Sequence, residues 1–137
     1  IKPSKISFNE LNDMVETGVI SKLNTHFLGF YPNVVNSLIK RFDIPATLSI
    51  IPAFFDYDYE KISSFLEKSN SFGISQHIDS KKSMNLIKKF KEEGNYCITW
   101  TVNNKKYMRD LIELGVDAII TDNPKKLMKV IKEKQNG

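Results

Sequence analysis

A second cysteine is missing from this chain of 137 residues, and with it any internal disulfide. Cys97 lies inside the run Tyr96-Cys97-Ile98-Thr99-Trp100, where a buried, inert thiol is expected rather than a nucleophile. No apolar run approaches the ~20 residues that span a bilayer, so no transmembrane segment is expected in this chain. The sequence also has no glycine-rich phosphate loop, no Cys/His spacing suited to zinc and no nucleophile elbow, which removes the commonest motif-based readings. Histidine is scarce, with His26 and His77 alone. His26 opens a strand-like run and is read as structural. His77, at a strand end, is read as a solvated loop residue, with acid–base work as the alternative.

What is present is ordinary for a globular domain: 41% hydrophobic and 26% charged residues. The length suits one domain with a moderate core. The net charge of +4 comes mostly from lysines scattered over helix surfaces. Their scatter, and the absence of any known module, argue against nucleic acid as a partner.

Strand and helix patterns alternate along the chain. Ser7-Phe8-Asn9-Glu10 has the form of a capping box, with Leu11, Met14 and Val15 on one face of the helix behind it. Residues 25–30 read as a strand, and Pro32 starts a helix directing Val34, Val35, Leu38, Ile39 and Phe42 inward. Residues 46–51 form the next strand, stopped by Pro52. Then follow a helix carrying Ile62, Phe65 and Leu66, a short strand at 72–76, and a helix over 80–93 closed by Gly94. In the segment Asp56-Tyr57-Asp58-Tyr59-Glu60, Asp58 is read as a helix cap rather than a cation ligand.

The stretch from Tyr96 to Asn123 organises the rest. Strand formers over 96–102 lead to Asn104, read as an N-cap, and then to the apolar stripe Tyr107, Met108, Leu111, Ile112 and Leu114. Gly115 stands where a left-handed C′ residue is needed, Ile119-Ile120 makes another strand, and Pro124 opens a last helix with Leu127, Met128, Val130 and Ile131 inward. Such alternation implies a parallel sheet covered by helices, but periodicity leaves a barrel and an open doubly wound sheet both available.

Trp100-Thr101-Val102-Asn103, a helix, then Gly115-Val116-Asp117, Ile119-Ile120-Thr121-Asp122 and Pro124 resembles the C-terminal end of the glycerophosphodiester phosphodiesterase family. Gly29-Phe30-Tyr31-Pro32, with Val34 and Val35 behind it, is similar to the family's Ser-Phe-Asp-Pro segment, with Gly29 for Ser and Tyr31 for Asp. Ile1-Lys2-Pro3 resembles the tail of a Glu-Ile-Lys-Pro motif whose metal-binding Glu would precede Ile1, so an upstream segment is expected. The resemblance implies that residues 1–137 form one partial domain, the C-terminal half or slightly more of a (β/α)8 TIM barrel.

The resemblance also implies a chemistry: metal-dependent hydrolysis of glycerophosphodiesters to glycerol 3-phosphate and an alcohol, with a divalent cation, calcium or magnesium. Within it, Lys2 matches the active-site lysine that neutralises phosphate charge. Trp100 and Phe30 would contact substrate, with Trp100 equally readable as a core residue. Asn103 would bond a substrate hydroxyl or shape a turn. The family's His-Arg-Gly, Glu-x-Asp, later His-Asp and metal-binding Glu do not occur in these residues, so the chain alone is expected to be inactive. Its expected partners are the missing N-terminal half of the barrel, another chain or a swapped copy, together with the glycerophosphodiester substrate. Two rivals remain: a catalytically dead, barrel-derived binding or interaction module, and a complete small α/β domain. A cytoplasmic protein and a soluble domain of a membrane-anchored one are both compatible with these residues.

Overall fold

Runs of β-branched and aromatic residues become strands, and the amphipathic stretches between them become helices. The computed structural model describes residues 8–18, 21 and 25–136. Its strands are β1 (Phe27–Gly29), β2 (Ala46–Ile50), β3 (Ile74–His77), β4 (Cys97–Trp100) and β5 (Ala118–Ile119). Its helices are α1 (Phe8–Glu16), α2 (Pro32–Phe42), α3 (Tyr59–Lys68), α4 (Lys81–Glu92), α5 (Lys105–Leu114) and α6 (Pro124–Asn136), with a 3-10 turn at Pro52–Phe55. Asp58, Ser80 and Asn104 each accept a first-turn amide, from Lys61, Ser83 and Tyr107 respectively. Gly115 ends α5 in the left-handed region at φ 76°. Ser7, expected to cap α1, lies outside the described residues.

Three local expectations are corrected. The strand expected from Phe72 begins at Ile74, because Phe72 and Gly73 form the entry: the Phe72 amide bonds to the Ala46 carbonyl. Val34 and Met128, expected inward, are 42% and 53% exposed. On α2 the buried stripe is Val35, Leu38 and Phe42, and one residue's rotation of about 100° carries Val34 off it. On α6 the fully buried position is Val130, two residues past Met128.

All four strand pairings are parallel, and the strand order is the order of the sequence, β1-β2-β3-β4-β5. A doubly wound sheet reverses direction at a switch point. Here every crossover steps the same way, so right-handed connections lay the helices along one face, as in a TIM barrel. Between that face and the helices sits the core, with Leu48, Ile50, Ile74 and Cys97 against Val35, Ile62, Ile87, Met108 and Leu111.

Curvature separates the two architectures more sharply. In a flat sheet, β1 and β4 would lie about 14 Å apart, three steps of some 4.8 Å. Yet their side chains touch at both ends. His26, just before β1, stacks on Tyr96, just before β4, with ring centroids 5.6 Å apart. Phe30, just after β1, meets Trp100 of β4 edge-on at 5.8 Å. The sheet is therefore strongly curled, and its concave side is the interior of a partial (β/α)8 barrel. Among the described residues, no strand pairs with the outer side of β1 or β5. Leu28, Phe30 and Ile120, which alternation places on the concave side, are 44%, 40% and 40% exposed.

Candidate functional site

In a parallel barrel the C-terminal ends of the strands carry the chemistry. Alternation decides which side chains reach the concave mouth. Gln76 points to the helices, where its Nε2 donates to the Ser83 carbonyl at 2.8 Å. Its neighbours Ser75 and His77 therefore face the concave side. Register sets His77 opposite Trp100, and the two rings lie 4.8 Å apart at a tilt of 47°. With Phe30 edge-on to Trp100, three rings from β1, β3 and β4 line the mouth. His77 is thus a half-buried strand residue, not the solvated loop histidine that its sequence position suggests. The signal that finds it is its place within the strand, where successive side chains turn to opposite faces.

Asn103 sits at the join of two turns. Its Oδ1 accepts from the Asp122 amide and the Thr121 hydroxyl, each at 3.0 Å, and its Nδ2 donates to Asp122 Oδ2 at 3.0 Å. Lys126 Nζ donates to its carbonyl at 2.8 Å. Asn103 therefore fastens the turn after β4 to the turn after β5, leaving one amide hydrogen for anything else. Lys2 lies outside the described residues.

Beside the ring cluster, the Tyr57 hydroxyl donates to Asp79 Oδ2 at 2.8 Å, tying the loop after β2 to the loop after β3. Burial alone would raise the Asp79 carboxyl. The hydrogen bonds from Tyr57, Ser80 and Ser83, with the nearby His77, outweigh it and hold the group below the usual carboxylate range. In the acidic segment, Asp58 is committed to its helix cap and Asp56 pairs with Lys61 on the surface. Cys97, on the helix side of β4, is driven up to about 12 by burial and offers no thiolate.

A divalent cation needs several converging oxygen or nitrogen ligands. Among the described residues, no three His, Cys, Asp or Glu side chains converge. The side chains described here therefore do not fit a cation by themselves. Among the described residues, no helix is long and apolar enough to cross a membrane.

A parallel, sequentially ordered, curled sheet with aromatic groups at its mouth defines a TIM-barrel class of protein. Residues 31–126 match the model of the glycerophosphoryl diester phosphodiesterase family, and the chain belongs to that family. Solved structures agree in fold. One, from Agrobacterium tumefaciens strain C58 and assigned as a glycerophosphoryl diester phosphodiesterase, superposes with a TM-score of 0.80 at 16% identity, covering 98% of this chain and 54% of its own. A glycerophosphodiester phosphodiesterase from Parabacteroides distasonis matches at 0.67 and 21% identity over 93% of this chain and 50% of its own. A phosphodiesterase from Oleispira antarctica, solved with the product sn-glycerol-3-phosphate, matches at 0.68 and 18% identity over 90% of this chain and 48% of its own. The chain thus spans about half the length of these structures.

Proposed function

We propose that the chain forms the C-terminal wall of the active site in a metal-dependent glycerophosphodiester phosphodiesterase, which cleaves its substrate to glycerol 3-phosphate and an alcohol. The supporting observation is the aromatic row Phe30, Trp100 and His77 at the mouth of a curled parallel sheet, in a chain of this family. In this reading Trp100 and Phe30 give an apolar wall to the glycerol or the leaving alcohol. Asn103 offers its remaining amide hydrogen to a substrate hydroxyl, and Lys2 neutralises phosphate charge.

The calcium or magnesium ion that the family relationship implies takes its ligands, together with the acid and base, from the half of the barrel that would complete this one. The exposed Leu28, Phe30 and Ile120, and the edges of β1 and β5 that no strand pairs among the described residues, suit docking of that half, of another chain or of a swapped copy. The test is catalytic release of sn-glycerol 3-phosphate from glycerophosphocholine with calcium or magnesium present. The chain alone is expected to release none, and the completed barrel to release it.

A further inference from the structure

The two nitrogens at the centre of the ring cluster are unaccounted for. Trp100 Nε1 and His77 Nδ1 are both closed off from solvent, and neither has a hydrogen-bond partner among the described residues. Buried polar atoms in folded proteins are almost always paired, so an orphan marks a missing partner. The indole nitrogen can only donate, whereas an imidazole nitrogen donates or accepts according to its tautomer. A hydroxyl group answers both, because it accepts from one and either accepts from or donates to the other. The surroundings favour an uncharged group: the flanking ring of Phe30 is apolar, and Asp79, two residues along the chain from His77, is held below the usual carboxylate range and so carries negative charge.

We propose that His77 Nδ1 and Trp100 Nε1 together bind a hydroxyl of a polyol ligand. That the polyol is the glycerol moiety rests on the function proposed above. His77 thereby becomes a specificity-determining residue, reading the hydroxyl while the aromatic faces cover the carbon skeleton. Both nitrogens are covered in the ligand-free chain, so the hydroxyl enters as the rings turn, and Phe30, 40% exposed, is the neighbour with room to give.

Trp100 is the chain's only tryptophan, so its fluorescence reports on this spot directly. The 137-residue chain is titrated with sn-glycerol 3-phosphate and, separately, with inorganic phosphate. The wild type responds to sn-glycerol 3-phosphate. His77→Gln, whose amide falls near the Nε2 position, binds it about 3- to 10-fold more weakly, the effect of one neutral hydrogen bond. Its response to inorganic phosphate stays that of the wild type. His77→Asn, whose amide falls near Nδ1, recovers most of the loss. Trp100→Phe, followed by calorimetry, removes the other donor and is expected to weaken the same ligand similarly. Wild-type affinity in both His77→Gln and Trp100→Phe, or an equal loss for inorganic phosphate, overturns the inference and leaves the proposed function standing. A wild type that does not respond to sn-glycerol 3-phosphate, either as the chain alone or joined to the half-barrel that would complete it, overturns the proposed wall, and the inference with it.

Discussion

Gly73 shows how one residue can be fixed by its neighbour's backbone. A Cβ at this position would lie 2.2 Å from the Tyr96 carbonyl oxygen, which the Ile74 amide holds in place at 2.9 Å. Gly73→Ala is therefore expected to lower stability by roughly 1–3 kcal/mol in urea unfolding, the usual cost of overpacking. His26, at the other side of the same aromatic cluster, contacts Phe72, Tyr96 and the Thr47 hydroxyl. Burial lowers its pKa below the ordinary 6.5. The folded state then binds fewer protons than the unfolded one, so stability is full above pH 6.5 and is lost as the pH falls through the folded pKa. In urea midpoints measured between pH 7 and 5, His26→Gln should show a shallower decline than the wild type.

At the scale of elements, helix ends were the most legible feature of the sequence, because a cap is decided within four residues. Asn104, Ser80, Asp58 and Gly115 all cap where their types suggest. Tyr31 is the informative exception. It holds the extended N-cap geometry of α2, φ −108° and ψ 118°, without a side-chain cap bond. Tyr31→Asp should supply that bond and raise stability by about 1 kcal/mol, read from the thermal midpoint. Asp117 belongs to a motif visible in the sequence, but its work was not visible there. Its Oδ2 accepts from the Cys97 amide at 2.8 Å and from Lys91 at 3.0 Å, joining the start of β4 to α4 and to the approach to β5. Burial alone would raise its carboxyl, and these partners outweigh burial and lower it. Asp117→Ala leaves the Cys97 amide without its acceptor and should cost roughly 1–3 kcal/mol in urea. Lys91→Met removes only the partly exposed ammonium and should cost less.

For the whole molecule, alternation of strand and helix was legible from periodicity, but closure was not. Barrel and doubly wound sheet share the same local pattern. They differ in contacts such as Phe30 with Trp100 and His26 with Tyr96, which join residues about seventy positions apart. The site follows the same division. Trp100 and Phe30 were legible as strand-end aromatics, whereas the pairing of Trp100 with His77 depends on the register between β3 and β4. The curled sheet leaves apolar side chains on its concave side and, among the described residues, no strand beyond β1 or β5, the arrangement on which the proposed docking of a completing half-barrel rests. The most direct test is hydrolysis of glycerophosphocholine, with calcium or magnesium, by the purified chain alone and by the chain joined to the half-barrel that would complete it. The joined protein should release sn-glycerol 3-phosphate catalytically and the chain alone should not, whereas turnover by the chain alone would contradict the account.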